Sequence, residues 1–97
     1  MMRAMVDEKR KAELLKQLAT LHAELDELAR TDADRAKTIA GFAELSAHEA
    51  TIPRPQPELL ELSVSGLQKS VQEFETTHPR LVEIVGSLSA ILSNIGL

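Results

Sequence analysis

The sequence predicts an all-α fold, and three observations predict it. Seam residues, leucines foremost, recur at alternating spacings of four and three near both ends of the chain. The apolar supply is 15 Leu and 12 Ala against 5 Val, 5 Ile and 2 Phe, a helix-forming set with few strand formers. Pro53, Pro55 and Pro57 stand on alternate residues and divide the chain into two amphipathic halves. The architecture expected is an antiparallel helical hairpin or a three/four-helix bundle with coiled-coil-like heptad seams. Its long C-terminal helix is kinked or broken near Pro79.

The elements follow in chain order. Residues 1–6 are expected to fray, and residues 7–97 form a single helical domain. In the first helix, over 7–29, Leu14, Leu18, Leu21, Leu25 and Leu28 form an a/d seam that Leu15 widens. Lys, Glu, Gln and Asp occupy its other faces, and as a helix it is ~35 Å long. Thr31 offers an N-cap hydroxyl, and Asp32 and Asp34 suit the positive end of the next helix, over 32–50. Its stripe is weaker: Ala36, Ile39, Ala40, Ala43 and Ala47, with Phe42 and Leu45 beside it. Small residues there let another helix approach closely. Gly41 costs about 1 kcal/mol of helix propensity relative to Ala.

The segment 51–57 reads as an extended connector, since each proline denies its predecessor the helical region. A polyproline ligand is the less favoured reading, because Arg54 is its sole basic anchor and it has no aromatic one.

The strongest signal follows the prolines. Leu60, Val64, Leu67, Val71, Phe74, His78, Leu81, Val85, Leu88, Leu92 and Ile95 keep one heptad phase, and Ile84 and Ile91 broaden the face. Thr76-Thr77-His78-Pro79 conflicts with it, because proline inside a helix removes a backbone bond and clashes with the preceding turn. The reading is therefore two helices, 58–77 and 79–96, continuous or meeting at a break. The unbroken phase favours a kink or a near-collinear junction. One helix from Glu58 to Ile95 would span ~57 Å.

Composition excludes several functions. Without Cys there is no disulfide framework, thiol nucleophile or thiolate metal site. A net charge of −4 and two aromatic residues argue against nucleic-acid binding. Lys9-Arg10-Lys11 is interleaved with Asp7, Glu8 and Glu13 and reads as a solvated helix start. There is no G-x-S-x-G, phosphate-cradling glycine loop or H-E-x-x-H, so the chain reads as non-catalytic, with no cofactor. Glu75-x-x-His78 has the carboxylate–histidine spacing of di-iron bundles, but such sites need a second pair and two further Glu. A capping or packing histidine is the favoured reading. His22 with Asp26, and His48 with Glu44, read as solvated helix pairs.

Residues 81–97 carry one charge, Glu83. They are marginal in length for a membrane span and lack basic or aromatic anchors, so membrane contact is disfavoured. The first residues show no apolar leader core, and the cytoplasm is the expected compartment.

Three motifs resemble a known family. Leu14-Leu15-Lys16-Gln17-Leu18-Ala19-Thr20-Leu21-His22-Ala23-Glu24-Leu25 resembles the "LL-x-x-L…LH-x-EL" helix of small bacterial proteins grouped as domain of unknown function 4404. Phe74-Glu75-x-x-His78-Pro79-x-Leu81 resembles its "FE-x-x-HP-x-L" segment. The ending from Leu88 through Ile91, Leu92, Asn94 and Gly96 resembles its terminus, with Leu97 in place of the usual Ile. Residues 30–56 carry little of the likeness. The resemblance implies a small, cytoplasmic, all-helical bacterial protein and no particular activity.

The function expected is structural: a protein that self-associates, with a dimer favoured, because apolar surface exceeds what one hairpin can cover. The packing residues are the two seams, Leu14 to Leu28 and Leu60 to Ile95. One alternative is an adaptor receiving a partner helix on the C-terminal apolar face. The other is a metal-binding bundle using Glu75 and His78.

Overall fold

The structure, a computed structural model, describes the backbone of residues 2–96 and the side chains of residues 8–95. The frayed end expected over 1–6 falls where side chains lie outside the described residues. Four α-helices follow in order: α1 (Met2–Ala29), α2 (Ala33–Thr51), α3 (Pro57–Val71) and α4 (Pro79–Gly96). They fill a body of 45 × 23 × 18 Å. The 28 residues of α1 make a rod of ~42 Å, which sets the long dimension.

Each helix packs on its two neighbours in a ring, α1 on α2, α2 on α3, α3 on α4 and α4 on α1, and α2 also meets α4 across the middle. Side-chain contacts fix the directions. Arg35, early in α2, reaches Glu73 just past α3 at 3.5 Å. Arg80, in the first turn of α4, reaches Glu24 late in α1 at 3.6 Å. At the opposite end, Arg10 of α1 donates to the Asn94 carbonyl of α4 at 3.0 Å. The helices therefore alternate in direction, as in an up-down-up-down bundle.

This settles the junction before Pro79 and corrects the expectation of a near-collinear one. The α-helix ends at Val71, a 3-10 turn covers Gln72–Phe74, and residues 75–77 turn the chain back. The His78 amide donates to the Phe74 carbonyl at 2.8 Å, and the His78 carbonyl accepts from Val82 at 3.3 Å. Pro79 is the first residue of α4, where its missing N–H leaves no bond unmade and its fixed φ suits a helix start. A ~57 Å helix would also exceed the 45 Å long axis.

The other turns are short. Asp32, and not Thr31, caps α2: its carboxylate accepts the Arg35 amide at 3.1 Å, while the Thr31 hydroxyl donates back to the Leu28 carbonyl. A carboxylate beside a helix N-terminus gains from the dipole as well as from the bond. The proline connector occupies residues 52–56, and α3 opens on Pro57. Gln56 makes no side-chain cap there. Glu49, buried near the end of α2, instead accepts the Gln56 amide at 3.5 Å, a long and weak bond.

The core runs the length of the bundle. Leu21, Leu28, Ile39, Leu67, Leu88 and Leu92 are fully buried, each stabilising by about 1.5–3 kcal/mol relative to exposure. Both heptad seams face inward. Leu18, His78 and Ile95 are half-buried, and the remaining seam residues are buried. Leu15 corrects the expectation that it widens the first seam: it is 60% exposed.

Candidate functional site

The Glu75–His78 pair stands at the α3–α4 turn. Glu75 is exposed and His78 half-buried. The His78 ring meets Phe74 edge-on, with centroids 5.5 Å apart and planes at 87°. Its Nδ1 lies 3.1 Å from the Thr77 hydroxyl. These are the contacts of a histidine that packs at a helix start. No group of three or more His, Asp or Glu able to hold a metal occurs among the described residues. His22 and His48 are exposed on α1 and α2.

Shallow grooves among the described residues include two beside α4. One, of about 140 Å³, lies between α3 and the end of α4, beside Leu60, Val64 and Ser93. The other, of about 230 Å³, lies between α1 and α4, beside Gln17, Arg80 and Glu83. Both fall below the roughly 300 Å³ at which small-molecule pockets begin. No described helix is long and apolar enough to cross a membrane.

The C-terminal apolar face, expected to take a second copy or a partner helix, is already occupied. Leu81, Val85, Leu88 and Leu92 are each 1% exposed or less within the single chain, covered by α1, α2 and α3. Among the described residues, the large apolar side chains left in water lie elsewhere. Leu62 is 68% exposed, Leu15 60%, Leu45 50% and Leu59 44%.

Three of those four flank one seam. A Cβ placed on Gly66 of α3 would stand 2.4 Å from Cε1 of Phe42 on α2, so Phe42 lies directly on the α3 backbone. Leu59 and Leu62 precede Gly66 by seven and four residues, and Leu45 follows Phe42 by three; such spacings share a helix flank. The Phe42–Gly66 contact brings the two flanks together. Leu45, Leu59 and Leu62 thus lie along the outer edge of the α2–α3 seam, with half-buried Phe42 between the helices.

The family model described as Domain of unknown function (DUF4404) matches residues 14–97. The chain belongs to this family. The DUF4404 match starts at Leu14, the first buried seam residue of α1, and runs through all four helices. It includes α2 and the proline connector, where the sequence motifs are sparse. No catalytic family is identified. No curated protein and no solved structure matches the chain.

Sequence reasoning missed the exposed leucines of α3, and one signal could have found them. Leu59 and Leu62 stand one place before and two places after Leu60, off the heptad phase that fills the core. A large aliphatic residue out of phase on an amphipathic helix points to water.

Proposed function

We propose that this DUF4404 protein is a non-catalytic interaction module of the cytoplasm that self-associates through the outer face of α2 and α3. The observation that carries the reading is the position of Leu45, Leu59 and Leu62, large aliphatic side chains gathered on one face of a bundle whose core is otherwise complete. Single exposed leucines are ordinary, whereas grouped ones mark interaction surfaces. The sequence offers no recognisable nucleophile, base and oxyanion set, and the reading is accordingly non-enzymatic.

A dimer formed this way adds a surface to a finished fold, so the monomer keeps its structure when diluted. Sedimentation equilibrium over a wide concentration range tests the reading. The expected result is a reversible monomer–dimer equilibrium with a helical, cooperatively melting monomer. A species that stays monomeric to the highest soluble concentration would overturn it.

A further inference from the structure

The outward line of α3 has a charged residue at each end, a large apolar residue inside, and Ser65 on the rim of the α3–α4 groove. Opposite its buried stripe of Leu60, Val64, Leu67 and Val71 stand Glu58, Leu62, Ser65 and Lys69 at spacings of four, three and four. Glu58, Leu62 and Lys69 are exposed, and Ser65 is half-buried. An acid opens the line, a base closes it, and a large residue and a small one lie between. The helix dipole accounts for the two charges, since Glu58 is in the first turn and Lys69 in the last. It does not account for Leu62, the most exposed large hydrophobic residue among those described.

We propose that two copies of the chain pack antiparallel, α3 against α3, about a two-fold axis that crosses the helix between Ser63 and Val64. The proposal rests on the self-association argued above and names its register. An antiparallel helix pair related by a two-fold sets residues opposite each other when their numbers share one sum. Glu58 with Lys69 and Leu62 with Ser65 share the same sum, so one axis satisfies both pairs twice. Each Glu58 then faces the other copy's Lys69, and each Leu62 enters the space beside the other copy's Ser65, a knob against a small residue. Parallel packing about an axis along the helix would set Glu58 against Glu58 and Lys69 against Lys69, which is repulsive at both ends.

The area sets the strength. α3 has 15 residues, so it is ~22 Å long, and with α2 beside it the face is ~20 Å wide. Two such faces bury on the order of 900 Å², at the low end of specific interfaces, which fits a transient dimer.

Sedimentation equilibrium on the full chain, with a thermal melt of each variant as a folding control, tests the register. Leu62→Gln is expected to weaken dimerisation about tenfold at an unchanged melting temperature, as for a central apolar anchor. Glu58→Lys and Lys69→Glu each set like charges together twice and are expected to weaken it about fivefold. The double exchange Glu58→Lys/Lys69→Glu is expected to restore wild-type affinity. It also opposes the α3 dipole and lowers the melting temperature slightly, so affinity and stability move in opposite directions. A wild-type chain that never dimerises overturns the self-association reading itself. A dimer indifferent to Leu62→Gln leaves self-association standing and overturns both the α3 register and the α2–α3 face as its seat. A double exchange no tighter than the single ones overturns the antiparallel register.

Discussion

The α1–α4 seam and the α2–α3 seam line the same core with side chains of different size. Along the first, Leu14, Leu21, Leu25 and Leu28 meet Leu81, Val85, Leu88 and Leu92, all buried. Along the second, α2 brings Ala36, Ala43, Ser46 and Ala50 beside Ile39, and α3 brings Ser63 and Gly66 beside Leu60 and Leu67. Leucine against leucine fills space by interdigitation and removes the most apolar area per residue. Small residues leave room for a neighbour's side chain, as where the Phe42 ring rests on Gly66. The price is less apolar area buried per residue, and the large leucines of this pair, Leu45, Leu59 and Leu62, stand outside. The leucine-rich seam supplies cohesion. The small-residue seam seats the Phe42 ring and leaves an outer apolar face.

The widest break in that comparison comes from a charge in the core. Leu88→Asp and Leu67→Asp each replace a fully buried side chain with an unpaired carboxylate. A loss of at least about 3–5 kcal/mol is expected, enough to unfold a small domain. Circular dichroism melts that match wild type would show that these positions do not face the core.

Glycine substitutions separate the seams next. Gly66→Ala places a methyl group against the Phe42 ring and should destabilise by about 1–3 kcal/mol, less the gain in helix propensity. Phe42→Ala in the same chain should cancel most of the clash term. At Gly41 and Gly86 an added Cβ meets nothing within 4 Å, so alanine there should stabilise by about 0.5–1 kcal/mol. Urea titrations read both signs. A stabilising Gly66→Ala would mean that the Phe42 ring gives way at less cost than alanine gains in helix propensity.

Serines give the smallest contrast. Ser46, buried at the α2–α3 seam, donates to the Phe42 carbonyl at 2.7 Å. Ser89, buried on α4, has a hydroxyl with no partner. Ser89→Ala should be neutral or stabilising by up to about 1 kcal/mol, and Ser46→Ala destabilising by a similar amount. Equal losses at both positions would imply a bonded Ser89 hydroxyl.

Much of the fold is legible in the sequence, and the reason is periodicity. The seam from Leu14 to Leu28 and the ridge from Leu60 to Ile95 name the buried face of three helices almost residue by residue. Direction is another matter. Phe74 and Leu81 are seven residues apart, so the heptad phase crosses the junction unbroken although the helix does not. Spacing reports which face is apolar and carries no record of a reversal between. The local chemistry of Thr76, Thr77 and Pro79 is the truer guide there, two β-branched residues ahead of a helix-opening proline.

The candidate surface is less legible for a related reason. Leu59 and Leu62 look like helix formers among other leucines until the phase of Leu60, Val64 and Leu67 excludes them from the core. Their neighbourhood with Leu45 depends on α2 and α3 lying side by side, and that rests on the approach at Gly66. At the turn, Glu75 and His78 have a metal-like spacing in sequence. In the structure His78 lies against Phe74 and Glu75 faces water.

The central claim is that one chain covers its own leucine ridge, so that association adds to a finished fold and does not complete one. The melting temperature as a function of protein concentration, followed down into the range where sedimentation shows only monomer, tests it directly. The account predicts a cooperative helical melt whose midpoint stops falling once the protein is monomeric. A midpoint that keeps falling with dilution, or helix that is lost as the dimer dissociates, would contradict it, since that is how an obligate dimer behaves.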